Sequence, residues 1–172
     1  MPATAKKPKT VQLDTKTTAG RRQAAVLVAK DVLKQLRYLK PTSGTYISPR
    51  HGNALYPHYA IADGEPETTP FKTDNDQVQP HISKLTKDCE VCALGAAALS
   101  YCRLYNQLTV AQLRGGKWRP KLRAIFGEEG MMVIEHAFEG EVMQRRYPNP
   151  RDRLRYIMLN IVKNNGKYEA PL

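Results

Sequence analysis

Asp88-Cys89-Glu90-Val91-Cys92-Ala93-Leu94-Gly95-Ala96-Ala97-Ala98-Leu99-Ser100-Tyr101-Cys102 carries all three cysteines of the chain and its densest run of small side chains. Asp88 can cap a helix, and Val91, Leu94, Ala98 and Cys102 recur at three- and four-residue steps. That spacing predicts a buried helix over about residues 87–105, in which Gly95 and its alanine neighbours let another backbone approach closely. The same stretch can instead open a zinc site. Cys89-x-x-Cys92 has knuckle spacing, and Cys102 with His81, His58 or His136 can complete four ligands. Two features oppose zinc. The chain has no second Cys-x-x-Cys or His-x3-His pair, and on one helix Cys102 lies about 140° around the axis from Cys89. Cysteine is also a common buried residue with no chemical task.

Working outward, the clearest element is at the C-terminal end. Asn149 caps, Pro150 takes the first helical position and Asp152 falls in the first turn. Leu154, Ile157, Met158, Ile161 and Val162 build an apolar face, and Gly166 closes the helix. On the N-terminal side, Ala25, Val26, Ala29, Val32, Leu33 and Leu36 form a stripe from Ala19 to about Lys40, with Lys30, Lys34 and Arg37 turned away from it. Pro41 ends that helix. Thr109 caps a turn through Leu113 that Gly115-Gly116 breaks. Further helical pieces follow at Pro120–Phe126 and at 128–139, the latter offering Met132, Ile134, Ala137 and Phe138 to the core. Ser43–Ile47 and Tyr56, Tyr59 and Ile61 read as the two strands of a small hairpin.

The expected architecture is mainly α: one compact domain over 19–172, with about five helices and a small β-hairpin. A flexible basic arm over 1–18 precedes it. A Pro-rich acidic loop at about 49–81 interrupts it, irregular from Asp63 to Gln79. No apolar run approaches the roughly 20 residues of a membrane span, and the Lys-rich N-terminus lacks an apolar signal core. With 172 residues, 41% hydrophobic and 25% charged, the composition is that of a globular protein. Three cysteines argue against a disulfide framework and for a reduced, intracellular setting.

Four stretches stand in order along the chain: Ser43-Gly44-Thr45-Tyr46, Cys89-Glu90-Val91-Cys92-Ala93-Leu94-Gly95-Ala96, Ile134-Glu135-His136-Ala137-Phe138-Glu139 and Arg153-Leu154-Arg155-Tyr156-Ile157-Met158. Together they resemble small proteins of unassigned activity encoded by tailed bacteriophages and prophages. The resemblance spans roughly residues 25–168. It implies a phage origin, a helical fold and residence in the host cytoplasm. By analogy with phage accessory proteins it favours a binder of host protein or nucleic acid over an enzyme.

Charge points the same way. The net charge is +11 and the pI about 9.7. The cations cluster at 1–22, 103–124 and 145–167, while Asp63, Glu65, Glu67, Asp74 and Asp76 gather in the central loop. Such segregation fits a polyanion partner, most simply nucleic acid or a host nucleoprotein complex. The expected phosphate contacts are Lys6, Lys7, Lys9, Lys117, Arg119, Lys121, Arg123, Arg151 and Arg155, with Trp118 as a base-stacking side chain. The competing roles are a solvated basic surface, with Trp118 anchoring its turn in the core, and salt bridges to Glu135, Glu139 or Glu141. A second function class is a protein-binding inhibitor of a host or defence factor acting through residues 49–81.

Catalytic signatures are missing. A zinc nucleobase deaminase pairs His-x-Glu with a downstream Pro-Cys-x-x-Cys. Here Tyr59-Ala60 follows His58, and Asp88 precedes Cys89. The chain has no Walker loop, no Gly-x-Gly-x-x-Gly and no His-Glu-x-x-His. A non-enzymatic protein without cofactor is therefore expected.

Overall fold

The computed structural model describes residues 11–171. Its centre is a helix, α3 (Ala93–Tyr105), in which every residue from Ala93 to Cys102 is buried. A helix that is apolar and small on all sides can be surrounded on all sides, and α1 (Thr18–Gln35), α2 (Ile82–Asp88) and α5 (Trp118–Glu139) all pack against it. Between them lie α4 (Val110–Arg114), α6 (Glu141–Arg146) and the C-terminal α7 (Pro150–Lys163). The mainly helical expectation holds, with seven α-helices among the described residues.

The cysteine stretch is not one helix. Cys89–Val91 is a strand, β3, and α3 starts only after Cys92, whose extended backbone (φ −83°, ψ −174°) makes it the N-cap. Asp88 ends α2 instead of capping α3. The reason is local alternation: Cys89 and Val91 are buried and Glu90 between them is half-buried, the period-two pattern of a strand. β3 is the middle strand of a three-stranded sheet ordered β1-β3-β2. It pairs in parallel with β1 (Lys40–Pro41) and antiparallel with β2 (Ile47–Pro49), Ile47 facing Val91.

The small β element is thus this sheet, not a hairpin between 43–47 and 56–61. Tyr56–Ile61 forms no strand. A 3-10 turn at His58–Ala60 follows Pro57, the His58 amide donates to the Phe71 carbonyl (3.0 Å), and the Tyr59 hydroxyl donates to Asp74. The segment from 63 to 79 is irregular as expected, yet anchored: Phe71 and Val78 are fully buried, and Asp76 accepts the amides of Lys72 (2.7 Å) and Thr73 (3.2 Å).

Of the arm expected over 1–18, residues 1–10 lie outside the described residues, and 11–17 bond and pack against the fold. Val11 and Leu13 pack half-buried on the core. Asp14 then accepts the Lys16 amide (2.9 Å) and the Thr17 hydroxyl (2.7 Å), while Thr17 caps α1 by accepting the Gly20 amide (2.9 Å). These bonds hold the Asp14 carboxyl below its ordinary pKa.

α7 forms as its sequence dictates. Asn149 accepts the Arg151 amide (2.8 Å), Pro150 opens the helix, and Leu154, Ile157, Met158 and Ile161 are buried. At its end the Gly166 amide donates to Ile161 (2.8 Å) and that of Asn165 to Val162 (3.3 Å), a Schellman closure with Asn165 at φ 51°. α5 carries the expected break between its two pieces at Gly127 (φ 75°, ψ 165°). Met131 rather than Met132 enters the core; Met132 is half exposed.

Gly95 is the tightest packing constraint. A Cβ there would stand 1.6 Å from the Tyr46 carbonyl oxygen, which also accepts the Cys92 amide (3.3 Å). Backbone atoms cannot yield as a side-chain tip can. Gly95→Ala should therefore lower stability by about 3 kcal/mol or more. In urea unfolding it should shift the midpoint without changing the slope. Ala97→Gly, equally buried on the same helix, should cost only about 1 kcal/mol.

Candidate nucleic-acid interface

The four stretches that carry the resemblance meet around Ser43–Tyr46. The Tyr46 hydroxyl donates to Glu135, and the Gly44 amide donates to both carboxylate oxygens of Glu139 (3.2 and 3.1 Å). Glu135 and Glu139 are one turn apart on α5, so they share a face. From α7, the Arg153 guanidinium donates to Ser43 Oγ (3.0 Å) and the Tyr147 carbonyl (2.7 Å), and it lies 4.9 Å from the Phe138 ring centroid. Arg153 is only 2% exposed. Burial lowers its pKa while the Glu139 charge opposes that shift, and the bond to Glu135 raises that of Tyr46. This cluster fastens the 43–46 segment to α3, α5 and α7. Most of its polar atoms bond within the cluster, which makes it a clasp, although the buried Arg153 Nε has no partner among the described residues.

The expected 117–123 binding loop is largely committed to the fold. Trp118 is 4% exposed, its ring 5.5 Å from that of Tyr46, so it is a core anchor and not a stacking platform. Arg119 lies over Tyr46 (4.2 Å) and Trp118 (5.0 Å). Arg123 pairs with Glu128. Lys117 is exposed and Lys121 half-exposed, and neither pairs with a carboxylate among the described residues. Lys6, Lys7 and Lys9 lie outside the described residues.

Arg151 and Arg155 belong to a different and larger surface. α7 runs antiparallel to α1 and is pinned to it at both ends. The Arg151 guanidinium donates to the carbonyls of Leu39 (2.9 Å) and Arg37 (3.5 Å), just past the end of α1. At the other end Gly166 sits so close that a Cβ would come within 2.6 Å of the Arg22 carbonyl oxygen. On α1, Lys30 and Lys34 lie about 40° apart, opposite buried Val28 and Val32, and Arg37 follows in the turn just past the end of the helix. A groove of about 630 Å³ along the N-terminal half of α1 is lined by Arg22, Gln23, Val26 and Lys30, with Asn165 from beyond the end of α7.

The pairing sets Arg151 against Arg37, while Lys30 and Lys34 are exposed on α1 and Arg155 on α7. None of the five forms an ion pair among the described residues. The acids of these helices offer little neutralisation: Asp31 is buried against Arg103 (2.5 Å), leaving Asp152 exposed in the first turn of α7. The apolar stripe of α1 turns Lys30, Lys34 and Arg37 away from the core, but only tertiary pairing brings α7 against this helix.

The cysteines are separated by element and by chemistry. Cys89 is on β3, Cys92 caps α3, and Cys102 lies along α3; all three are free and buried. Burial pushes Cys89 and Cys102 up to about 12, and Cys92 to about 11 despite the Gly95 and Leu94 amides beside it. Zinc needs thiolates, and His81 packs edge-on to Phe71 (5.3 Å). Among the described residues no group of three or more His, Cys, Asp or Glu side chains could hold a metal ion. Nor is any described helix long and apolar enough to cross a membrane.

Raised thiol values have a defined pH signature. Folded thiols stay protonated while unfolded ones ionise, so their contribution is intact below the ordinary value of 9.0 and is lost as pH rises toward 11–12. Stability measured by urea unfolding should fall above pH 9, by at most about 1.4 kcal/mol per pH unit per thiol. Thiol labelling at pH 8 should proceed only in denaturant. No protein-family model, curated protein or solved structure matches the chain.

Proposed function

We propose that this chain is a non-enzymatic, phage-type accessory protein that binds nucleic acid through the α1–α7 face. The observation that supports this reading is that Lys30 and Lys34 on α1, Arg37 just past it, and Arg151 and Arg155 on α7 belong to helices packed on one another, and none of the five pairs with a carboxylate among the described residues. Cations on two rigid, mutually pinned helices present fixed phosphate contacts and lose little freedom on binding. Tyr38 extends the face. Its ring lies between the Arg37 guanidinium (4.6 Å) and the Lys87 ammonium (5.4 Å), which carries the positive surface from α1 onto α2.

A second reading, a protein partner engaged through residues 49–81, draws on Tyr56 and Tyr59, which are 47% and 64% exposed. Exposed tyrosines beside acids suit a basic protein segment. The charge array of α1 and α7 favours the first reading.

Fluorescence anisotropy with short DNA and RNA duplexes tests it. Binding should weaken steeply with salt, and reversing Lys30, Lys34 and Arg155 to Glu should lower the log–log salt slope by about 3 and affinity by roughly 100-fold at low salt. Lys117→Glu with Lys121→Glu should cost less than about fivefold. Binding that ignores salt, or equal losses from the two sets, would refute the assignment of the face.

A further inference from the structure

Resting on that reading, we infer that the basic face ends in a socket for the terminal phosphate of a nucleic-acid strand. Where α7 begins, a concave cleft of about 430 Å³ is lined by Lys40, Pro41, Thr42, Arg50, Glu90, Asn149, Pro150 and Arg151. Its three cations come from three separate segments: Lys40 from β1, Arg50 just after β2, and Arg151 from the first turn of α7. The sheet register and the α1–α7 pairing hold them together. Lys40 aligns with Glu90 across β1 and β3, and Ser48 aligns with the same Glu90 from β2.

The charges do not cancel. Glu90 is the sole carboxylate of the lining, and its contact with Arg50 is loose at 4.0 Å. Lys40 has no ion pair among the described residues. Arg151 binds two backbone carbonyls and retains further donors. The α7 backbone is not what builds the site, since Asn149 already accepts the Arg151 amide.

Three cations against one carboxylate complement a dianion. A phosphate monoester carries close to two charges at neutral pH, its second pKa being near 6, whereas an internal diester carries one. Shape selects in the same direction. An internal phosphate of a duplex lies along a convex backbone, while a strand end can project into a cleft. Arg151 lines the cleft and donates to the Arg37 carbonyl, which sets the cleft beside the C-terminal end of α1, so a duplex lying along α1 and α7 would run toward the socket with its end.

The test compares one duplex prepared with 5′-phosphate, 3′-phosphate or hydroxyl ends, under conditions of measurable salt-dependent binding. Phosphorylated ends should bind about tenfold tighter than hydroxyl ends. Lys40→Gln with Arg50→Gln should abolish that preference and leave affinity for hydroxyl ends within about twofold. Glu90→Gln should enlarge the preference, giving a gain that misfolding could not mimic. Equal affinity for all three ends, with salt-dependent binding intact, overturns the socket and spares the α1–α7 reading. Absence of binding to every duplex at low salt removes both. A phosphoserine peptide that competes as well as the phosphorylated duplex end would assign the cleft to a protein partner and overturn the strand-end assignment.

Discussion

The seating of the Tyr46 carbonyl on Gly95 is the contact on which the remaining geometry depends. It requires a residue without Cβ at the start of α3, and it fixes where the chain runs between β1 and β2. From that point the other restraints follow. With Tyr46 held, its hydroxyl meets Glu135 and its ring receives Arg119 and Trp118. Two residues earlier the Gly44 amide meets Glu139, and Ser43 meets Arg153. One backbone approach therefore orders contacts to α5 and α7, elements far from it in sequence. β3 benefits directly, because β2 can pair with it only if Ile47 lies opposite Val91.

The small side chains of α3 have a consequence at the surface. With α3 buried on every side, α1 lies against α3, α5 and α7 and keeps only a narrow outward arc. Lys30 and Lys34 lie on that arc, and Arg37 follows just past the helix. α7 completes the layer, its Arg151 donating to the Arg37 and Leu39 carbonyls beyond the end of α1. A cation used as a helix-terminus donor thus also lines the cleft at Lys40 and Arg50. Packing and charge are not independent here: the bond that fixes the angle between the helices also places the positive charge.

Much of this was legible in the sequence, for local reasons. α7 declares itself through Asn149, Pro150, Asp152 and its apolar spacing, all of which act within a few residues. The capping box of Thr109 with Gln112 and the break at Gly127 are equally local. The failures are non-local. Cys89-Glu90-Val91 has too few residues for its alternation to outweigh the helical grammar that follows, and it becomes a strand because β1 and β2 arrive on either side. Arg153 reads as one more surface cation, yet it is buried because Ser43, Tyr147 and Phe138 surround its guanidinium. Trp118 among basic residues reads as a stacking loop until Tyr46 covers it.

The disposition of the acids decides what the excess positive charge can do. Glu135 and Glu139 are engaged by a phenol and a backbone amide, and Asp76 by turn amides, so these carboxylates stabilise the fold chiefly through neutral donors. Asp31 meets Arg103 in the interior, and Asp74 meets Arg114 beside Tyr59. Each engagement leaves fewer carboxylates available to lie beside the cations of α1 and α7. Charge whose only task was to keep the chain dispersed would not need such a separation, since interspersed signs serve that end equally well. With acids drawn into hydrogen bonds elsewhere, Lys30, Lys34, Arg37, Lys40, Arg151 and Arg155 have no ion pair among the described residues, so their positive potential is left to act on a charged partner. The proposed partner, a polymer of regularly spaced phosphates with a dianionic end, would match that disposition of charge.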